Sequence, residues 1–269
     1  MTEQLVTSKG QIKRIPMYIQ GLDEQMEGGI PEGHVNLIAG TAGTMKSTIS
    51  FNIMYNEVKK GKIGLYVSLE QSCTSLLNHM VNVGYDLSKV NIFIVDDLGE
   101  LDEKINKAKI TKGALVMADM GVIRKEIKES TGQSGGWFNA IKNIVKRLKV
   151  ACGCQLFVVD SLAALYVLSE FENPRAELFH AFEFFRDLNI TTFLISEMPL
   201  DGMKYGQYEV EDFLADGVIK LELVARQRKI TREISIVKMR KTSCSMDVFS
   251  LEVENGAFKA MYGGQTALI

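Results

Sequence analysis

The sequence has few cysteines and almost no net charge, and these shortages exclude several classes of protein. Among its 269 residues are four cysteines, at Cys73, Cys152, Cys154 and Cys244. Cys152 and Cys154 form a Cys-x-Cys pair without a second pair, so we expect neither a zinc site nor a disulfide framework. The 31 lysines and arginines nearly balance 33 acidic residues. A net charge of −2 provides no global positive field that would attract nucleic acid or a membrane.

Long apolar runs and linker-like segments are also missing. No run approaches the ~18 residues of a membrane span. Met1 is followed by polar residues, so no signal peptide is expected. A reducing, cytoplasmic compartment is the simplest expectation. No repeat and no Pro/Ser-rich linker divides the chain, so we predict one domain over residues 21–269, preceded by an N-terminal arm at 1–20.

Short apolar runs alternate with helical segments along most of the chain. The predicted strands lie at 35–39, 64–69, 91–95, 156–159 and 191–195, and the predicted helices at 47–59, 74–83, 137–148 and 175–188. This alternation is typical of an α/β fold with a mostly parallel central sheet and helices on both faces. Three later runs, at 218–224, 230–239 and 248–253, indicate a C-terminal antiparallel strand extension. The stretch 96–136 indicates only charged helical material and a glycine-rich loop at 132–136.

The nine residues 40–48 match a phosphate-binding loop with one departure. The pattern is Gly, four residues, Gly, Lys and then Ser or Thr, and Met45 stands in place of the second glycine. The loop follows an apolar strand and opens a helix, whose N–H groups and dipole favour a phosphate. The alternative is a Gly/Thr turn that carries a solvated lysine. We predict nucleoside triphosphate binding by Gly40, Thr41, Ala42, Gly43, Thr44, Met45, Lys46, Ser47 and Thr48.

Within this loop, Lys46 would reach the β- and γ-phosphates and the Ser47 hydroxyl would bind Mg²⁺. Met45 replaces a residue that normally leaves space for the phosphate. We hypothesise that its backbone angles are helical and that its side chain points away from the phosphate. A positive φ would instead cost about 1–3 kcal/mol in strain.

Two carboxylates stand at the ends of apolar strands, where an α/β sheet binds its ligands. Asp160 would hold Mg²⁺ opposite Ser47 or order the water. Glu70 could orient or deprotonate the attacking water. Each has a plainer alternative, because Asp160 could cap a helix and Glu70 could be a capping acid before Ser72.

Two cations, Lys238 and Arg240, are two positions apart on a predicted strand and therefore share one face. A pair of cations directed at a γ-phosphate would stabilise the charge of the transition state. The residues alone favour the alternative, a solvated edge-strand face.

Together these motifs resemble the KaiC-like branch of the RecA superfamily over residues 14–256. The similar segments are GLDEQMEGGIPEGHVNLIAG at 21–40, VSLE ending at Glu70, LFVVDSLAAL at 156–165, EDFLADGVIKL at 211–221 and VKMRKT at 237–242. The resemblance implies a RecA-like P-loop fold that binds ATP with Mg²⁺ between subunits of a homo-oligomeric ring, commonly a hexamer. It implies that Lys238 and Arg240 act in trans on the neighbour's nucleotide. Ser196, in TFLISE at 192–197, would sense the γ-phosphate.

The sequence also departs from the clock-type members of that family. Gln71 follows Glu70 where those members usually carry a second glutamate, which favours slow hydrolysis. No Ser or Thr occurs at 207–230, around the phosphorylated pair of the clock protein.

We expect an ATPase that drives a conformational or assembly change. A slow-turnover nucleotide-sensing module and a recombinase-like DNA-binding protein are the alternatives. The basic stretch around 226–232 motivates the latter, and the acidic pI of about 6 argues against it. We also expect a protein partner, which the sequence does not identify.

Overall fold

The computed structural model describes residues 12–129, 136–168, 173–199, 204–226 and 228–262. The strands of this part of the chain are β1 (Arg14–Ile15), β2 (Ile19–Gln20), β3 (Ile30–Pro31), β4 (Val35–Gly40), β5 (Ile63–Ser68), β6 (Ile92–Val95), β7 (Ala114–Asp119), β8 (Leu156–Asp160), β9 (Thr191–Glu197), β10 (Gly217–Arg226), β11 (Lys229–Met239), β12 (Val248–Glu254) and β13 (Ala257–Tyr262). The helices are α1 (Lys46–Lys59), α2 (Cys73–Val83), α3 (Leu101–Ile110), α4 (Met120–Glu129), α5 (Gly136–Cys152), α6 (Leu162–Leu168), α7 (Pro174–Asp187) and α8 (Glu211–Leu214).

A large mixed sheet forms the centre of the molecule. Its order, within the described residues, is β2-β13-β12-β11-β10-β4-β9-β8-β5-β7-β6. The strands from β10 to β6 run parallel to one another. The pairs β10–β11, β11–β12 and β12–β13 are antiparallel. The predicted α/β fold with a mostly parallel sheet and a C-terminal antiparallel extension is therefore confirmed.

Helices cover both faces of this sheet because each contributes one apolar stripe to a buried layer. One layer holds Phe51 and Ile53 of α1 together with Met80 of α2. The opposite layer includes Ile144 of α5 and Phe182 of α7. Burying both faces is what allows the strands to be continuously apolar. Among the described residues, none of the helices has the length and hydrophobicity that a bilayer span requires.

The strand β7 was missed in the sequence. It lies inside the parallel sheet between β5 and β6, and its residues Ala114 to Ala118 are almost fully buried. The run is short and is flanked by the charged helices α3 and α4, so its residue pattern did not distinguish a strand from the neighbouring helical segments. The glycine-rich loop predicted at 132–136 lies outside the described residues except for Gly136, the first residue of α5.

The described part of the predicted arm packs against the body of the domain. Ile15, Met17 and Ile19 are buried, and β2 pairs in parallel with β13. Asp23 accepts hydrogen bonds from the backbone N–H groups of Met17 (2.7 Å) and Tyr18 (3.0 Å). Burial nevertheless raises the pKa of Asp23 to about 6. Residues 1–11 lie outside the described part of the chain.

Candidate nucleotide-binding site

The carboxyl ends of β4, β5, β8 and β9 meet at one edge of the sheet and border a cavity of about 660 Å³. Parallel strands bring their final residues together at this edge, which is where open α/β sheets bind ligands. Glu70 and Asp160, both predicted, line the cavity. The residues of the predicted loop that line it are Ala42, Gly43, Met45, Lys46, Ser47 and Thr48.

The phosphate-binding loop adopts a compact turn between β4 and α1. A Cβ atom on Gly40 would lie 2.5 Å from the carbonyl oxygen of Leu221, so no larger residue fits there. Gly43 has a φ of +80°, and the hydroxyl of Thr44 donates to the carbonyl of Thr41 at 2.8 Å. No side chain caps the first turn of α1. Its leading N–H groups lack intrahelical acceptors and are available to an anion.

Met45 is the residue for which the sequence prediction was wrong. Its φ of +74° and ψ of +28° are left-handed rather than helical. The chain reverses direction between the loop and α1, and this is the position at which the pattern places a glycine. The side chain is half-buried and packs against the apolar layer that includes α1. A left-handed conformation costs a residue with a Cβ atom roughly 1–2 kcal/mol.

Lys46 is held by three oxygen atoms and is only 6% exposed. Its Nζ donates to the carbonyl oxygens of Gly40 (2.9 Å) and Thr41 (2.8 Å). The third partner is Oε1 of Glu197, at 2.6 Å. The ammonium group is therefore fully bonded within the chain.

Ser47 and Asp160 face each other as the sequence predicted. The side chain of Ser47 lies beside Asp160, which is buried, and the Tyr66 hydroxyl donates to Oδ2 of Asp160 at 2.6 Å. Burial raises the pKa of Asp160, although the hydrogen bond from Tyr66 and the nearby Ser47 side chain oppose this rise. A hydroxyl and a carboxylate are oxygen ligands of the kind that Mg²⁺ prefers, and Mg²⁺ needs few protein ligands beside phosphates and waters. The pair therefore fits a magnesium ion.

Glu70 lies at the exposed side of the same cavity. Its Oε1 accepts a hydrogen bond from the hydroxyl of Ser161, the residue that follows Asp160. The backbone N–H of Leu69 donates to the carbonyl of Asp160 at 2.6 Å, which ties the ends of β5 and β8 together. Glu70 and Asp160 thus occupy adjacent positions, as a base and a metal ligand would require.

The structure adds cavity residues that were not predicted from the sequence as catalytic, nucleotide-binding or metal-binding. They are Gln71, Ser75, His79, Glu197 and Arg232. Glu197 follows an apolar strand, as Asp160 does, so the same rule could have identified it. The Nε of Arg232 donates to the carbonyl of Gly43 at 3.3 Å, across 189 residues of sequence. No local sequence pattern could therefore have predicted that Arg232 lies at the site.

Ser196 is 2% exposed and is not among the residues that line the cavity. It lies beside Ala39 in the sheet register, and the adjacent Glu197 is the residue whose side chain reaches Lys46. Alternation along a strand places Ser196 and Glu197 on opposite faces.

Lys238 and Arg240 share one face, as predicted, but lie at the other edge of the sheet. Nζ of Lys238 donates to the carbonyls of Ala215 (2.7 Å), Asp212 (2.8 Å) and Phe213 (3.3 Å) at the end of α8. Arg240 pairs with Asp216 at 2.8 Å. The N–H of Asp216 bonds to the carbonyl of Val35, so this face adjoins the start of β4 while the phosphate loop follows its end.

Sequence comparisons extend these observations beyond the single chain. The family model described as "ATPase: KaiC" matches residues 15–261. A UPF0273 protein of Pyrobaculum aerophilum is 26% identical over 253 residues, which cover 93% of this chain and 83% of that protein. The circadian clock oscillator protein KaiC of Thermostichus vulcanus is 24% identical over 261 residues, which cover 95% of this chain and 45% of that protein. The chain thus spans less than half the length of that clock protein.

The fold agrees with the same comparison. The crystal structure of a KaiC-like protein from Pyrococcus horikoshii aligns with a TM-score of 0.71 at 26% identity, covering 93% of this chain and 99% of that one. The predicted RecA-like fold and the predicted resemblance are both confirmed, and the family supports an ATP-binding function. By its sequence and its architecture, the chain belongs to the KaiC family of ATPases.

Proposed function

We propose that this protein binds ATP with Mg²⁺ and hydrolyses it at the subunit interfaces of a homo-oligomeric ring, a hexamer by resemblance. The observation that carries the proposal is the convergence of Lys46, Ser47, Glu70 and Asp160 on one cavity at the carboxyl edge of the sheet. These residues come from three different strand ends, so their meeting depends on the fold and not on one local motif.

The residues divide the work of phosphoryl transfer between them. The N–H groups at the start of α1 and the ammonium of Lys46 would bind the phosphates. Ser47 and Asp160 would hold Mg²⁺, which neutralises phosphate charge when it is bound. Glu70 would leave Ser161 and take a proton from the attacking water.

The position of Lys238 and Arg240 supports action in trans. They lie at the opposite end of β4 from their own phosphate loop, so their own nucleotide is out of reach. The carbonyl of Phe213 accepts hydrogen bonds from both cations, and the Phe213 side chain is 71% exposed beside them. Exposed aromatic groups next to arginine suit a contact surface between subunits. A head-to-tail contact generates a ring when the rotation between subunits closes.

Slow-turnover nucleotide sensing is a second candidate, favoured by the contacts of Glu70. The carboxylate already accepts a hydrogen bond from Ser161, and Gln71 supplies no second carboxylate beside it. Full ATP affinity with negligible phosphate release, together with nucleotide-dependent oligomer size, would select this candidate.

The DNA-binding alternative loses some support because several cations of the basic stretch have partners within the chain. Arg226 pairs with Glu233, Lys220 with Glu222, and Arg232 bonds to the phosphate loop. Carboxylates of the same chain thus balance the charges of Arg226 and Lys220, which weakens the attraction of this stretch for a phosphate backbone. Salt-sensitive binding of single-stranded DNA that is lost in Arg228→Glu would restore this alternative.

Phosphate release from ATP tests the proposed function. We expect Mg²⁺-dependent release by the wild type and none by Lys46→Ala. Lys59→Ala, at the exposed end of the same helix α1, is the matched control and should release phosphate normally. Wild-type protein that neither binds ATP nor releases phosphate would contradict the proposal.

A further inference from the structure

The ammonium of Lys46 is bonded to a carboxylate, Glu197, that the phosphate-binding pattern does not include. Lysine has three N–H donors. Two point to the backbone carbonyls of Gly40 and Thr41, and the third points to Oε1 of Glu197 at 2.6 Å. A phosphate oxygen can therefore reach Lys46 only by replacing one of these three acceptors.

Glu197 is the acceptor that can be replaced most easily. The carbonyl of Gly40 belongs to β4 and also accepts the N–H of Met198 at 3.1 Å, so it is fixed by the sheet. Thr41 is held in the turn by the hydroxyl of Thr44. The side chain of Glu197, by contrast, is 36% exposed and lines the cavity. It has room to move away from Lys46.

The charge of Glu197 points to the same competition. A carboxylate that lines the cavity attracts Lys46 and repels a polyphosphate, and both effects oppose phosphate binding. A neutral ligand such as a nucleoside without phosphates would meet neither effect. Glu197 should therefore discriminate between ligands by their phosphate charge.

We infer that Glu197 acts as a latch on Lys46, holding the lysine in the nucleotide-free site and yielding it to the phosphates when ATP enters. This inference rests on the proposed function and adds a regulating residue to the same site. Glu197 is a positioning residue, because it acts through Lys46. Glu197 ends strand β9, which lies between β4 and β8. Movement of Glu197 away from Lys46 would therefore take place between the strand that leads to the phosphate loop and the strand that ends at Asp160.

Isothermal titration with three probes tests the latch: ATP with Mg²⁺, ADP with Mg²⁺, and adenosine. The proteins are the wild type, Glu197→Gln and Glu70→Gln. Glu70→Gln is the matched control, because it removes a carboxylate from the same cavity that has no contact with Lys46. We expect Glu197→Gln to bind ATP about fivefold more tightly than the wild type, the effect of one partly exposed ion pair. The gain should exceed that of Glu70→Gln, and adenosine should bind equally to all three.

A second readout follows Lys46 directly without nucleotide. Acetylation of Lys46 by acetic anhydride, quantified by mass spectrometry, should be faster in Glu197→Gln than in the wild type and unchanged in Glu70→Gln. Equal or weaker ATP binding by Glu197→Gln, or an equal gain for adenosine, would overturn the latch. Wild-type binding of ATP in that case leaves the proposed function intact. Absence of ATP binding by every variant would overturn both.

Discussion

The hydroxyl of Tyr66 donates a hydrogen bond of 2.6 Å to Oδ2 of Asp160. Both residues are buried, and they lie on the neighbouring strands β5 and β8. The bond satisfies one oxygen of a buried carboxylate, and a buried charge without such a partner is costly. Tyr66 thus helps to orient Asp160 toward Ser47.

Replacing Tyr66 by Phe should therefore destabilise the fold more than the same change at another buried tyrosine. We expect Tyr66→Phe to lower the free energy of unfolding by about 2 kcal/mol, because its acceptor is a carboxylate. Tyr85→Phe is the control, since Tyr85 donates to the neutral Oδ1 of Asn52 at 3.0 Å. Its expected cost is about 1 kcal/mol. Urea unfolding at pH 8 measures both, and equal costs would contradict the role assigned to Asp160.

The left-handed backbone of Met45 should reverse the usual order of alanine and glycine at a helix. Met45→Gly removes the side chain and the strain together, whereas Met45→Ala removes the side chain and keeps the strain. We expect Met45→Gly to be more stable than Met45→Ala by about 1 kcal/mol. At the exposed Lys59 of α1, alanine should instead be the more stable substitution. Thermal unfolding of Met45→Gly, Met45→Ala, Lys59→Gly and Lys59→Ala measures both differences. A Met45→Ala variant more stable than Met45→Gly would refute the left-handed assignment.

Arg240 should contribute to ATP hydrolysis at the site of a neighbouring subunit. We expect Arg240→Ala and Lys46→Ala each to lose phosphate release, and their mixture to regain part of it, because a mixed interface can combine an intact loop with an intact arginine. Asp216 keeps Arg186 as a partner at 3.1 Å, so Arg240→Ala should lose at most about 1 kcal/mol of stability. Phosphate release across mixing ratios measures the effect. No recovery at any ratio would count against action in trans.

His34 should make the stability of the fold depend on pH. Burial lowers the pKa of His34 below its ordinary value of 6.5. At pH values between that lower pKa and 6.5, the unfolded chain binds more protons at His34 than the folded chain does. The contribution of neutral His34 to stability is therefore fully present above pH 6.5 and is lost as the pH falls below it. The slope is at most about 1.4 kcal/mol per pH unit.

The comparison of wild type with His34→Gln isolates this contribution. Asp23, whose pKa is raised to about 6, titrates in the same window with the opposite sign, but it is present in both proteins. The difference between their unfolding free energies should therefore shrink from pH 7 to pH 5. Two parallel curves would exclude the role of His34.

The sequence predicted the parts of the site that obey local rules. Lys46 and Ser47 follow from the loop pattern, and Asp160 and Glu70 follow from carboxylates at the ends of apolar strands. Arg232 could not be predicted, because its contact with Gly43 depends on the position of β11 across the sheet. The backbone of Met45 was predicted wrongly, since the geometry of the loop overrides the preference of the residue. Strand β7 was missed because its flanking charges hide a short apolar run.

The most direct test of the proposed ATPase compares ATP binding and phosphate release in one variant, Glu70→Gln. If Glu70 is the general base, this change should leave ATP bound at least as tightly as in the wild type. It should slow Mg²⁺-dependent phosphate release by about 100-fold or more. Release by Glu70→Gln at the wild-type rate would contradict the account.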